Sequence, residues 1–149
     1  LTTMYGPGQN IEGNYVVPSL IRRMWEARRD GKKSIEVWGT GKPTRDFLYV
    51  KDAAEGIILA TERYDSSEPV NLGSGWEISI RELAVLIARL MDFSGELAFD
   101  PSKPDGQMRR VLDTSLAEKR FGFRAVTDYE IGMSDAIAWY VRKLDGVQA

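Results

Sequence analysis

The chain has 149 residues, 43% hydrophobic and 28% charged, a balance that fits a globular protein long enough to bury a sizeable core. A formal net charge of −2 supplies no field to recruit nucleic acid or an anionic membrane, so neither is expected as a partner. Cysteine and histidine are both absent, which excludes disulfides, thiolate chemistry and the usual neutral-pH base, and no metal site is expected.

The opening Leu1-Thr2-Thr3-Met4-Tyr5-Gly6-Pro7-Gly8 reads as the end of a buried strand running into a turn. Such a start leads us to expect a piece of a longer protein, with a processing boundary in a complete domain as the alternative. Gln9 to Tyr15 is polar and turn-like, with Gly13 and Asn14 supplying permissive backbone. Pro18 suits the first turn of a helix, and Leu20, Ile21, Met24, Trp25 and Arg28 continue it at helical spacing until Gly31. Arg22, Arg23, Arg28, Arg29, Lys32 and Lys33 read mainly as a solvated face with charges favourable at a helix C-terminus.

Ile35–Trp38 and Asp46–Val50 read as two short strands around Gly39-Thr40-Gly41-Lys42-Pro43. Three capping boxes are predicted, Asp52 with Glu55, Ser79 with Glu82 and Thr127 with Glu130, each opening a helix with periodic apolar residues. Between them, Asp65 to Pro69 is a loop, and Val70-Asn71-Leu72 and Leu97-Ala98-Phe99 are brief strands. Asp100 to Gly106 is a proline- and glycine-marked loop, and a short helix after Asp113 ends near Phe121-Gly122. Helices and short strands alternate without repeat or linker, which indicates one α/β unit of four to five helices. No apolar run approaches the ~20 residues of a membrane span and no signal-peptide pattern appears, so a cytoplasmic location is expected.

Phosphate is the natural ligand for the charged pieces. Arg45 follows a Gly-x-Gly-x-Pro turn and Arg109-Arg110 follows a Pro-Asp-Gly turn, and guanidinium groups hold phosphate oxygens through paired donors. Trp38 offers a flat apolar surface to a base or sugar, and Asp105 can accept from hydroxyls. The structural alternatives are Arg45 paired with Asp46 or Glu55, Trp38 in the core and Asp105 shaping its own turn. The sequence has no Gly-x-Gly-x-x-Gly leading into a helix, no Walker loop and no Tyr-x-x-x-Lys pair.

Several motifs, in order, resemble extended short-chain dehydrogenase/reductases that act on nucleotide sugars. They are Met4-Tyr5-Gly6-Pro7-Gly8, Val16-Val17-Pro18-Ser19-Leu20-Ile21, and Val37-Trp38-Gly39-Thr40-Gly41 through Arg45-Asp46-Phe47-Leu48-Tyr49-Val50 to Asp52. Phe99-Asp100-Pro101-Ser102-Lys103-Pro104-Asp105-Gly106, running on to Leu112-Asp113, narrows the resemblance to GDP-L-fucose synthase-like proteins of the NAD-dependent epimerase/dehydratase kind. The resemblance implies the C-terminal portion of a Rossmann-type fold, with residues 1–8 ending a cofactor-binding half and 9–149 forming a nucleotide-sugar domain. It implies NADP or NAD as cofactor, bound mainly by the other half, with Leu1, Thr2, Thr3 and Met4 along the nicotinamide end. Tyr15, Val16, Arg23, Trp38, Arg45, Asp105 and Arg110 match substrate-binding positions for a nucleoside diphosphate sugar, a GDP-sugar by preference. Trp38 and Arg45 are placed on one wall, with Asp105 and Arg110 opposite.

The resemblance further implies that the catalytic Ser/Thr, Tyr and Lys set belongs to the other half. The chain alone is then expected to be inactive, as a binding part of an epimerase or reductase or as a non-catalytic binding module. Tyr15 stands where fucose synthases carry a histidine that donates a proton. A phenol with an ordinary pKa of ~10 is a poorer acid–base group at neutral pH than imidazole, so a 4-epimerase, 4-reductase or dehydratase is considered alongside. Apolar surface that would pack on the other half leads us to expect a homo-oligomer.

Overall fold

Apolar residues at helical spacing form the helices, and glycines follow three of them, in the computed structural model, which describes residues 1–13 and 15–146. The turn expected at Asn14 lies outside the described residues. The order is β1 (Thr3–Tyr5), α1 (Val16–Arg29), β2 (Ser34–Trp38), β3 (Thr44–Arg45), β4 (Phe47–Tyr49), α2 (Val50–Arg63), β5 (Ile78–Ser79), α3 (Ile80–Leu90), β6 (Glu96–Asp100), β7 (Arg109–Arg110), α4 (Ser115–Phe121) and α5 (Tyr129–Leu144). Five helices with short strands match the expected α/β class. No helix among the described residues is long and apolar enough to cross a membrane.

Helix α1 ends as its sequence predicts. Gly31 takes φ 65°, the Gly31 N–H donates to the Arg28 carbonyl and the Lys32 N–H donates to that of Ala27, which together close a Schellman turn. Of the three predicted capping boxes, Ser79–Glu82 forms with both reciprocal bonds. The other two do not. Helix α2 begins at Val50, two residues before Asp52, and α5 is capped by Asp128. Asp52 and Thr127 instead bond each other: the buried carboxylate accepts from the Thr127 N–H at 3.0 Å and hydroxyl at 2.9 Å. A long-range partner has displaced two local ones.

The two strands read on either side of the Gly39–Pro43 turn do not pair with each other. β1 and β4 run parallel, β2 and β6 run parallel, and β3 lies between antiparallel β5 and parallel β7. The Gly39–Pro43 turn, with Gly39 at φ 82° and Gly41 at φ 75°, therefore carries the chain from one sheet to another. The predicted strand 46–50 is trimmed to 47–49: Val50 opens α2, and Asp46 separates β3 from β4, its buried side chain accepting from the Ser74 N–H at 2.9 Å and hydroxyl at 2.6 Å. Val70–Leu72 is not a strand; the Leu72 carbonyl accepts a single bond from the Thr2 N–H. The opening segment is only partly buried, with Thr2 and Tyr5 inside and Leu1 and Met4 exposed.

Strand β4 is buried along its length and divides the core. Phe47 and Tyr49 face the larger cluster, built from α1, α3 and α5 around Ile21, Met24, Leu83, Ile87, Met133 and Tyr140. Leu48 points the other way, as alternation requires, into a smaller cluster with Ala53, Leu72, Ala117, Phe121 and Phe123. This arrangement brings the N-terminal ends of α1 and α2 beside the end of β1.

Candidate functional site

The C-terminal end of β1 and the turn that follows form the floor of a groove of about 770 Å³, within the range of small-molecule sites. Thr2 to Asn10 supply one side, and Tyr15, Val50 and Arg110 the other. Gly6, at φ 135°, has no room for a side chain, since a Cβ there would lie 2.7 Å from Val50 Cγ1. Tyr15 and Tyr49 precede α1 and α2 without capping either helix through a side chain. Thr2, Thr3, Met4 and Tyr15 all line this groove, whereas Leu1 does not. Tyr15 is 55% exposed.

Val16 turns to the other side of the α1 N-terminus. There it lines a second hollow of about 270 Å³ with Ser19, Leu20, Arg23, Val37, Trp38 and Ile80. Trp38 is 57% exposed and so lies outside the core. Its indole N–H donates to Glu36 Oε1 at 2.7 Å, and the Arg23 guanidinium lies 5.7 Å from the ring centroid. Arg23 is itself anchored by a 2.8 Å bond from Nη1 to the Glu36 carbonyl.

Arg45 and Arg110 are neighbours rather than opposing walls. They are directly paired in the parallel register of β3 and β7, so both side chains leave the same face. The alternate face carries Thr44 and Arg109, both bound to Glu77, and that ion pair removes Arg109 from the site. Arg45 pairs with neither Asp46 nor Glu55, and among the described residues neither Arg45 nor Arg110 has an ion-pair partner. Burial, and then the charge of Arg110, hold the Arg45 guanidinium below its ordinary pKa. Two adjacent cations without a counter-charge make a surface suited to an anion.

Asp105 is engaged elsewhere. Its two oxygens accept from the Thr40 N–H at 2.6 Å and the Thr40 hydroxyl at 2.7 Å, and Gly39 admits it because a Cβ would occupy the same space. Asp105 does not shape its own turn: it clamps the 39–41 turn to the loop that leads into β7. The sequence reading also missed Glu36, although alternation along β2 places it on the face of Trp38. It missed the lining role of Gly6 to Asn10 and Val50 as well, for which Gly6-Pro7-Gly8 was the available signal.

Residues 1–73 match the NAD dependent epimerase/dehydratase family. GDP-L-fucose synthase 1 of Arabidopsis thaliana is 39% identical over 145 residues, covering 96% of this chain and 45% of the relative. The chain thus spans about half the length of the curated relatives it matches. Among solved structures, a GDP-L-fucose synthetase from Naegleria fowleri bound to NADP superposes with a TM-score of 0.86 at 29% identity, over 99% of this chain and 47% of that one. UDP-glucose 4-epimerase from Thermotoga maritima, solved with UDP-glucose, gives 0.84 at 25% identity, over 96% of this chain and 45% of that one. The fold is accordingly a portion of the Rossmann-type short-chain dehydrogenase architecture. The chain is a partial-length relative of the NAD-dependent epimerase/dehydratase family, similar over nearly all its residues to part of the GDP-L-fucose synthases.

Proposed function

We propose that this chain is the substrate-binding part of an NAD(P)-dependent nucleotide-sugar epimerase or reductase, with a GDP-sugar as the favoured ligand. One observation carries the reading: Arg45 and Arg110 stand side by side without a carboxylate partner among the described residues, and Arg110 lines the groove of about 770 Å³. A diphosphate satisfies both guanidinium groups through charge-assisted bonds and relieves their mutual repulsion. Val16, Arg23 and Trp38 then receive another part of the nucleotide sugar, and residues 9–149 act as its domain. Asp105 contributes mainly by holding the 39–41 turn, and contacts ligand only if it gives up Thr40.

NADP or NAD is the proposed cofactor, able when bound to accept or donate hydride. The residues present fit one end of such a group: Thr2, Thr3 and Met4 line the groove, with Leu1 adjoining, and Gly6 lines it without a side chain of its own. Residues 1–8 accordingly close the cofactor side. Tyr15 borders the groove and is the proposed acid–base position. Because the sequence carries no Tyr-x-x-x-Lys pair, the chain on its own binds these ligands without oxidising or reducing them. A homo-oligomer is part of the proposal, favoured by the exposed apolar side chains Ile57, Ile58, Val126 and Ile131, and a monomer on size exclusion would oppose it.

Titration calorimetry with GDP-, UDP- and dTDP-sugars is the test. Binding of at least one at millimolar or tighter affinity is expected, with the GDP-sugar tightest. No heat from any of the three would sink the reading.

A further inference from the structure

Resting on that reading, we propose that Glu36 is the residue that selects the base, receiving the paired donors of guanine on its carboxylate while Trp38 carries the base on its ring. Alternation along β2 puts Ser34, Glu36 and Trp38 on the outer face of the parallel β2–β6 pair. Parallel sheets are ordinarily covered on both faces, so a tryptophan left 57% exposed on one keeps much of its ring open to a ligand. Arg23 and Lys103 lie 5.7 and 6.0 Å from its ring centroid, at the outer limit of cation–π contact, which is looser than a stacked group. Every base has a π-face, and stacking on this ring alone would not discriminate among them.

Discrimination needs a hydrogen-bonding group at the ring edge, and Glu36 is there. Its Oε1 accepts the indole N–H at 2.7 Å, while its Oε2 has no partner among the described residues. Arg23 bonds to the backbone carbonyl of Glu36 and forms no ion pair with its carboxylate. An ionised carboxylate accepts hydrogen bonds and donates none. Guanine sets a ring N–H beside an exocyclic NH₂ on one edge, two donors that a carboxylate receives together. Uracil and thymine set a single N–H between two carbonyl oxygens, which a carboxylate repels. Adenine sets an acceptor next to its amine, which is equally mismatched.

Calorimetry of the chain with GDP, UDP and ADP, repeated on Glu36→Gln, tests this, with circular dichroism to establish that the exposed substitution leaves the fold intact. Glutamine still accepts the indole N–H through its oxygen, so a residue that only steadies Trp38 predicts no change in the ratio of affinities. Base reading predicts that the unaltered chain prefers GDP over UDP and ADP by roughly 10- to 100-fold, the scale of lost charge-assisted bonds. In Glu36→Gln that preference falls at least tenfold while UDP affinity stays within about twofold. Equal affinities in the unaltered chain, or an undiminished preference for GDP in Glu36→Gln, overturn the role of Glu36 and leave nucleotide binding standing. Failure of all three nucleotides to bind overturns the functional reading and the role of Glu36 with it.

Discussion

Replacing Arg45 by methionine separates ligand binding from folding at one position. Arg45 lies in register beside Arg110, and burial together with that neighbouring charge lowers its pKa. The unliganded chain therefore holds a repulsion that an anion removes. Methionine retains most of the apolar stem and deletes the charge. It also deletes the 2.7 Å bond from Arg45 Nη1 to the Thr44 carbonyl, worth ~0.5–1.5 kcal/mol net and offset by relief of the Arg45–Arg110 repulsion. Stability should consequently stay within about 0.5 kcal/mol of the parent, a Tm shift of no more than ~2 °C for a chain of this length. Ligand affinity behaves otherwise. Loss of a charge-assisted phosphate contact costs about 1.5–3 kcal/mol, or roughly 10- to 150-fold in Kd. Thermal unfolding of the two proteins, followed by calorimetry with a GDP-sugar, reads both quantities. An unchanged Kd would place the diphosphate elsewhere, and a Tm loss above ~5 °C would make Arg45 a structural residue.

Three further outcomes follow from the packing. Asp52→Ala removes the acceptor of both Thr127 bonds at a buried position, and urea denaturation should show a loss of about 2–3 kcal/mol; a loss below ~0.5 kcal/mol would mean that the α2–α5 link is dispensable. Gly132→Ala would help an isolated helix by ~1 kcal/mol, yet the added methyl strikes the Tyr5 hydroxyl and sits 3.2 Å from Tyr49 Cδ2, so a net loss of about 1–3 kcal/mol is expected. Tyr5→Phe removes that hydroxyl, which is buried without a partner among the described residues, and the double variant should recover most of the loss; simple additivity of the two changes would count against this contact. Glu82 is held below its ordinary pKa by the Ser79 hydroxyl and then the Ser79 backbone N–H, so its contribution is present above the unfolded value and lost as pH falls through the folded one. Urea midpoints measured from about pH 5 down to 3 should fall less steeply in Glu82→Gln than in the parent, and parallel slopes would contradict the assignment.

Local chemistry was readable wherever a residue's partner lay within one helical turn. The Ser79–Glu82 box, the Gly31 stop and the apolar faces of α1 and α3 depend on neighbours three to five positions away, and the structure has them as expected, whereas on α5 Ile131 is exposed and Met133 and Ala136 are buried instead. Asp52 and Thr127 carried the same local signals and were misread, because each found the other 75 residues away. A buried long-range bond excludes water from both groups and outcompetes an exposed cap. The split at Asp46 has the same origin, since its partner Ser74 lies 28 residues on.

The class of fold, the glycine turn at Gly6-Pro7-Gly8 and the candidates Tyr15, Arg23, Trp38, Arg45 and Arg110 were legible in residue type and spacing, which are local quantities. Which of them meet depended on long-range packing. The parallel register of β3 and β7 joined Arg45 to Arg110 and turned Arg109 away to Glu77. Pairing of β2 with β6 left Trp38 and Glu36 on an open face, and the close approach of Gly39 gave Asp105 to Thr40. Strand pairing closes long loops between segments that carry no mark of their partner, so register, and with it the face each side chain presents, is settled by packing of the whole chain.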